Sequence, residues 1–74
     1  MNAPDWLAAF AEKLGTPAPT KDELKAVLDL AAEAAHSSQR ISAPVACWLA
    51  ARAGVDPDRA LELAQEIDAG PPDG

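Results

Sequence analysis

Four polar residues near the middle of the chain have the types and the spacing that could bind a ligand. Asp29, Glu33 and His36 follow one another at intervals of four and three residues, and Arg40 comes four residues later. In a helix, where each residue turns the chain by about 100°, this spacing places the first three side chains on one face. Zinc accepts both carboxylate oxygen and imidazole nitrogen. One hypothesis is therefore a small ligand- or metal-binding domain that uses the His36/Arg40 segment.

The same face also has a structural interpretation, in which it fixes a turn. Val27 lies on the opposite side of the predicted helix, so the acidic side chains are expected in solvent. A positive His36 suits the carboxyl end of the helix dipole, and Arg40 can donate to the last free carbonyls or to Asp29 or Glu33. A metal site also needs groups that orient its ligands, and the sequence offers no second histidine. We therefore predict capping and turn-fixing here, with no metal and no cofactor.

The sequence offers no candidates for catalysis. It contains no nucleophile–base pair, no pair of buried carboxylates and no glycine-rich phosphate loop. The single cysteine, Cys47, cannot form a disulfide within the chain. Its neighbours Ala46 and Trp48 indicate a small apolar residue inside a helix rather than a reactive thiol. We predict that the protein is not an enzyme.

The charge of the chain restricts its partners. Twelve acidic residues against six basic ones give a formal charge of -6 at pH 7, which repels nucleic-acid phosphates and anionic lipids. The first residues lack the basic and apolar segments of a signal peptide, and the longest nearly uncharged stretch, 41–51, is shorter than the ~20 residues that span a bilayer. We expect a cytoplasmic protein that binds neither nucleic acid nor membrane.

The 74 residues suit one small all-α domain, a compact bundle of four short helices over residues 1–70, followed by a flexible tail over 71–74. Helix starts and ends follow from caps, prolines and glycines. In chain order these are Pro4 and Gly15, the capping box Thr20–Glu23 and a helix end near His36, a Ser42 cap and Gly54, and an Asp56 cap and Gly70.

Apolar residues at three- and four-residue spacing predict the faces that form the core. In helix 1 they are Trp6, Leu7, Phe10 and Leu14; in helix 2, Leu24, Val27, Leu28, Ala31, Ala34 and Ala35; in helix 4, Leu61, Leu63, Ala64 and Ile67.

Helix 3 is unusual because no charged residue occurs from Ile41 until Arg52, whereas a bundle helix normally keeps one wet face. Its bulky side consists of Ile41, Val45, Trp48 and Leu49, and its small side of Ala43, Ala46, Cys47 and Ala50. Helix 3 is either the central, most buried helix, or one of its sides is covered by another protein or a second copy. The second alternative gives the function we predict, a non-catalytic interaction surface at Ile41, Val45, Trp48 and Arg52, with Trp48 as the anchor.

Several short segments together resemble a small actinobacterial helical family of unknown function, over most of helices 1 to 4. The segments are Asp5–Trp6, Leu28–Asp29–Leu30, Ala35–His36, Arg40 and Ala43–Pro44. Some members of that family are fused to, or lie beside, molybdenum cofactor guanylyltransferase. The resemblance implies an accessory or binding module linked to cofactor maturation and assigns no reaction. Relatives tend to carry Thr and Leu early in helix 3, where this chain has Val45, Ala46, Cys47 and Trp48.

Overall fold

The computed structural model describes residues 1–69, with side chains described through residue 67. Four α-helices follow one another: α1 (Ala3–Leu14), α2 (Lys21–Ser37), α3 (Ser42–Ala53) and α4 (Pro57–Ala69). No strand occurs in the described residues. The predicted all-α bundle of four short helices is therefore confirmed. The predictions for Gly70 and for the tail over 71–74 lie outside the described residues.

Local signals start α2 and end α1 and α3 as the sequence indicates. The amide of Glu23 donates to the Thr20 hydroxyl at 3.1 Å, and the amide of Thr20 donates to the Glu23 carboxylate at 2.8 Å, so the predicted capping box is formed. Gly15 and Gly54 both adopt positive φ, 76° and 72°, the left-handed conformation that ends a helix. One cap was not predicted: the Asn2 side chain accepts from the amide of Asp5 at 2.8 Å.

The predicted Ser42 cap of α3 is wrong. Ile41 occupies the capping position with helical backbone angles, and no side chain caps this end. The amide of Ser42 donates to the Gln39 carbonyl at 2.9 Å, and the next amide donates to the Arg40 carbonyl at 3.2 Å. Because the preceding turn supplies these acceptors, the Ser42 hydroxyl is left to donate to the Ser38 hydroxyl at 3.1 Å.

The central helix is α2, because it packs against both α3 and α4, while α3 and α4 touch each other much less. Ala26 and Leu30 of α2 and Ala60 of α4 are buried. No residue of α3 is buried. The alternative that α3 is the central, most buried helix is therefore wrong.

In α2 and α4, three apolar residues predicted for the core are exposed. Leu28 is 58% exposed, because the packed face of α2 is centred on Ala26 and Leu30 and leaves Leu28 on the other side. Leu63 and Ile67 of α4 are 40% and 80% exposed. The packed face of α4 is formed by Ala60, Leu61 and Ala64, which leaves Leu63 to one side of this face and Ile67 beyond it.

The backbone of α1 lies at a greater distance from the other three helices than they lie from one another, although its Ala11 is buried. No Cα atom of α1 lies within 8 Å of a Cα atom of α2, α3 or α4. The chain accordingly extends over 46 × 22 × 18 Å. Trp6, Phe10 and Leu14, which the spacing predicts to be core residues, are therefore exposed, although their shared face is formed as expected.

Candidate interaction surface

The bulky side of α3 lies in solvent. Ile41, Val45 and Trp48 are 72%, 54% and 59% exposed, and Arg52, one turn after Trp48, is also exposed. Since these four residues recur every three or four positions, they form one continuous line, which we call the α3 stripe. A shallow apolar groove runs beside it, lined by Ile41, Ser42, Val45, Ala46 and Leu49.

One contact orders the end of the α3 stripe. The guanidinium carbon of Arg52 lies 4.4 Å from the centre of the Trp48 ring. A cation over an indole face is attracted by the negative charge of that face. The contact restricts the rotamers of both side chains and places a positive charge at the carboxyl end of the α3 dipole, where it is favourable.

The small side of α3 faces α2 instead of an external partner. The Cys47 thiol lies 3.8 Å from the Val27 carbonyl oxygen and donates to it. An apolar cleft at this contact is lined by Val27 and Leu30 of α2, Ala50 of α3 and Val55 after it. Burial raises the pKa of the Cys47 thiol above its ordinary value. Cys47 is thus a half-buried packing residue.

One residue of the hypothetical ligand site, Asp29, is paired with Lys25. The Lys25 ammonium donates to the Asp29 carboxylate at 2.7 Å, and this bond, with the charge of Asp29, raises the pKa of Lys25. Asp29 is therefore directed towards the amino end of α2, whereas His36 lies about two turns in the other direction. His36 occupies the last turn of α2, and Arg40 lies in the turn before α3; both are exposed.

The loop after α2 is held by short polar contacts. The Ser37 hydroxyl donates to the Glu33 carbonyl at 2.8 Å, and the amide of Ser38 donates to the Ala34 carbonyl at 3.1 Å. Within residues 1–69, no group of three or more His, Cys, Asp or Glu side chains is arranged to hold a metal ion. The turn-fixing roles of His36 and Arg40 stay predictions.

The structure also contains an acidic cleft that was not predicted from the sequence. It lies between the first turns of α2 and α4 and is lined mainly by Asp22, Glu23, Asp56, Asp58 and Glu62. Its arginine, Arg59, has Nη1 at 3.7 Å from a Glu62 carboxylate oxygen. Acidic residues at helix starts are stabilised by the helix dipole, which accounts for this cluster. The signal was present in the two similar start motifs, TKDE and DPDR.

A second apolar surface lies on α1, where the sequence predicted a face packed in the core. Trp6, Phe10 and Leu14 recur every four residues and are 54%, 46% and 63% exposed; we call this line the α1 stripe. The Trp6 and Phe10 ring centres are 5.2 Å apart with the planes inclined at 32°. The sequence showed the stripe but not its exposure, because periodicity does not identify what covers a face.

Fold and surface together define a small all-α domain with two exposed apolar stripes. Residues 1–69 match the model of a domain of unknown function, DUF6457, so the chain belongs to that family. No curated protein and no solved structure matches the chain. None of the helices in residues 1–69 combines the length and apolar character needed to cross a membrane.

Proposed function

We propose that this domain is a non-catalytic protein–protein interaction module of the cytoplasm, and that it binds through the α3 stripe. One observation carries the proposal: a helix without acidic residues presents Ile41, Val45 and Trp48 to solvent, each more than half exposed. Contiguous apolar patches on a soluble domain mark interaction sites more often than scattered exposed residues do.

The composition of the α3 stripe supports the proposal. Tryptophan and arginine are over-represented among the residues that contribute most to binding free energy, and here they lie in contact. Because Arg52 already restricts Trp48, less side-chain entropy is lost when a partner covers the ring. Val45 and Ile41 extend the same line towards the amino end of α3, so a partner helix or strand finds an apolar track beside a shallow groove.

A finer proposal concerns the pathway. The resemblance to helical domains that are fused to, or lie beside, molybdenum cofactor guanylyltransferase supports an accessory role in the maturation of that cofactor. The partner would then be the guanylyltransferase itself. Titration calorimetry of the purified enzyme with this domain is the direct test: saturable binding supports the link, and no heat of binding at 100-fold more domain than enzyme contradicts it.

The main experiment compares capture by three immobilised chains, followed by quantitative mass spectrometry of proteins retained from native lysate. The chains are wild type, Val45→Glu and Gln65→Glu. Val45 and Gln65 are both exposed helical residues and both variants add one negative charge, but Gln65 lies on α4. We expect Val45→Glu to reduce capture of the specific partner by about tenfold or more, which corresponds to ~1.4 kcal/mol.

The Gln65→Glu chain controls for the added charge. It should capture the same proteins as wild type, in the same amounts. Equal loss in both variants, or no loss in Val45→Glu, contradicts binding through the α3 stripe. Far-ultraviolet circular dichroism of all three chains checks that the helix content is unchanged.

A further inference from the structure

We propose that the α3 stripe is covered by α1 of a second copy of this chain, in a symmetric dimer in which each copy donates its α1 and accepts the other's. The inference rests on the proposed function because it uses the same surface, the α3 stripe. It adds that α1 of a second copy covers this surface. It is carried by the separation of α1 from the rest of its own chain.

The first step is that α1 requires a partner. It has twelve residues, and isolated helices shorter than about 12–15 residues are marginal in water. Most of the stability of such a helix comes from packing of its apolar face. Yet no Cα atom of α1 comes within 8 Å of another helix, and the α1 stripe, with two adjacent aromatic rings, is about half exposed. Packing against another surface would stabilise it.

The second step concerns the linker over residues 15–20, which has the sequence GTPAPT. Pro17 and Pro19 each force the residue before them, Thr16 and Ala18, towards extended conformations. Thr20 is extended as well, with ψ of 168°. Proline-rich linkers act as semi-rigid spacers. This linker therefore holds α1 away from its own bundle and presents it outward, the arrangement that favours exchange of an element between copies.

The third step compares surface areas. The chain exposes 5849 Å², whereas a compact monomer of 7.7 kDa exposes about 4,300 Å². The excess over the whole chain is roughly 1,500 Å², and a standard interface buries about 800 Å² on each partner. Pairing α1 with the bundle of a second copy therefore removes an amount of surface typical of a stable dimer.

The charges of the two surfaces and a twofold symmetry both favour α1 of a second copy as the partner of the α3 stripe. The α3 stripe has only positive neighbours on its helix and the turn before it, Arg52 and Arg40, while α1 carries the acidic residues Asp5 and Glu12 and one lysine. Because both complementary surfaces lie on one chain, a twofold axis satisfies both contacts at once. Such an arrangement closes as a dimer and leaves neither stripe free.

The test begins with the mass of the full chain in solution, by sedimentation equilibrium from 1 to 200 μM. Wild type is expected to reach twice the monomer mass. Phe10→Asp, on the α1 stripe, and Val45→Asp, on the α3 stripe, should each give the monomer mass, and the matched control Gln65→Asp should behave as wild type. All three substitution sites are exposed, and helix content is checked in each chain.

Crosslinking then identifies which surfaces meet. In a Cys47→Ala background, one chain carries Phe10→Cys and a second, of different mass, carries Val45→Cys. Mild oxidation of the mixture should give mainly the mixed disulfide. Mainly like-with-like disulfides overturn the exchange of α1. A chain carrying both substitutions that forms its disulfide within one copy also overturns it, because α1 then covers its own bundle.

The two proposals fail separately. A wild-type chain that stays monomeric at 200 μM overturns the dimer, and if Val45→Glu still abolishes capture of another protein, the proposed function stands. Dimerisation and the mixed disulfide support the inference, and they make the second copy, instead of another protein, the occupant of the α3 stripe.

Discussion

Arg52 lies over the indole of Trp48, with its guanidinium carbon 4.4 Å from the ring centre, one helical turn further along α3. The two residues are on the solvent side of the helix, and Trp48 is 59% exposed. The contact is therefore made in a region of high dielectric constant. It orders the surface that we propose for binding, and it adds little to the stability of the bundle.

A double-mutant cycle should measure this contact. Unfolding free energies of wild type, Trp48→Ala, Arg52→Ala and the double variant are expected to give a coupling of about 0.5–1 kcal/mol, as for exposed cation–π pairs. The control cycle pairs Trp48→Ala with Arg59→Ala, because Arg59 lies on α4 beside Glu62. We expect no coupling there. Urea unfolding at one protein concentration, with one oligomeric species present, provides the values.

Leu30 and Trp48 should differ sharply when each is replaced by Ala. Leu30 is only 4% exposed and lies at the centre of the α2 contacts, so its loss should cost about 2–5 kcal/mol through lost burial and a cavity. Trp48→Ala should cost less than about 1.5 kcal/mol in the monomer, since the ring is largely in solvent already. Urea unfolding of a monomeric background such as Phe10→Asp tests this. A larger loss for Trp48 would place its ring in the core.

The capping box at the start of α2 gives a third prediction. Thr20→Ala removes the acceptor for the amide of Glu23 and should lower the unfolding free energy by about 1 kcal/mol, within a range of 0.5–2. Thr16→Ala is the matched control, because Thr16 is also an exposed threonine of the linker but contributes a backbone bond, from its amide to the Ala11 carbonyl. Thermal unfolding should show a lower midpoint for Thr20→Ala alone.

The helix starts and ends could largely be predicted from the sequence because the interactions that set them are local. Thr20 and Glu23 lie three residues apart, and Gly54 needs only its own φ to end α3. Where a prediction of this kind failed, at Ser42, the preceding turn supplied backbone acceptors that a side-chain rule does not anticipate. Local rules therefore suffice where no competing backbone contact exists.

The arrangement of the helices was harder to predict, because an apolar stripe does not specify what covers it. Trp6 and Leu30 both lie on apolar faces, yet Trp6 is in solvent and Leu30 is buried. The same ambiguity applied to α3, since a central helix and an unpartnered one share the same lack of charge. In the structure, the side of α3 with small alanines packs against α2, and Val45 and Trp48 are exposed to solvent.

The ion pair on α2 gives a prediction about alkaline pH. The hydrogen bond from Lys25 to Asp29, together with the charge of Asp29, raises the pKa of Lys25 above its ordinary value of 10.5. A raised folded pKa gives stability that is present below the unfolded value and lost as pH rises through the folded one. Asp29→Asn should lower the Lys25 pKa, as followed by nuclear magnetic resonance of its side-chain methylene. Asp22→Asn, elsewhere on α2, should shift it less; an equal shift in both variants contradicts the specific pair.

The last prediction concerns the Cys47 thiol, which we expect to titrate and react as a half-buried group. Burial raises its pKa above the ordinary value of 9.0, because the charged thiolate is poorly solvated against α2. The proton is held more tightly in the folded chain, so the associated stability is present below about pH 9 and lost as pH rises through the folded pKa. The difference in unfolding free energy between wild type and Cys47→Ala should therefore be more favourable to wild type at pH 7.5 than at pH 10.

Labelling by iodoacetamide at pH 8.5 should be slower in the folded chain than in urea, since the thiolate is the reactive form. Equal labelling rates, or a stability difference that moves in wild type's favour at pH 10, would show that the thiol is an exposed and ionisable group instead.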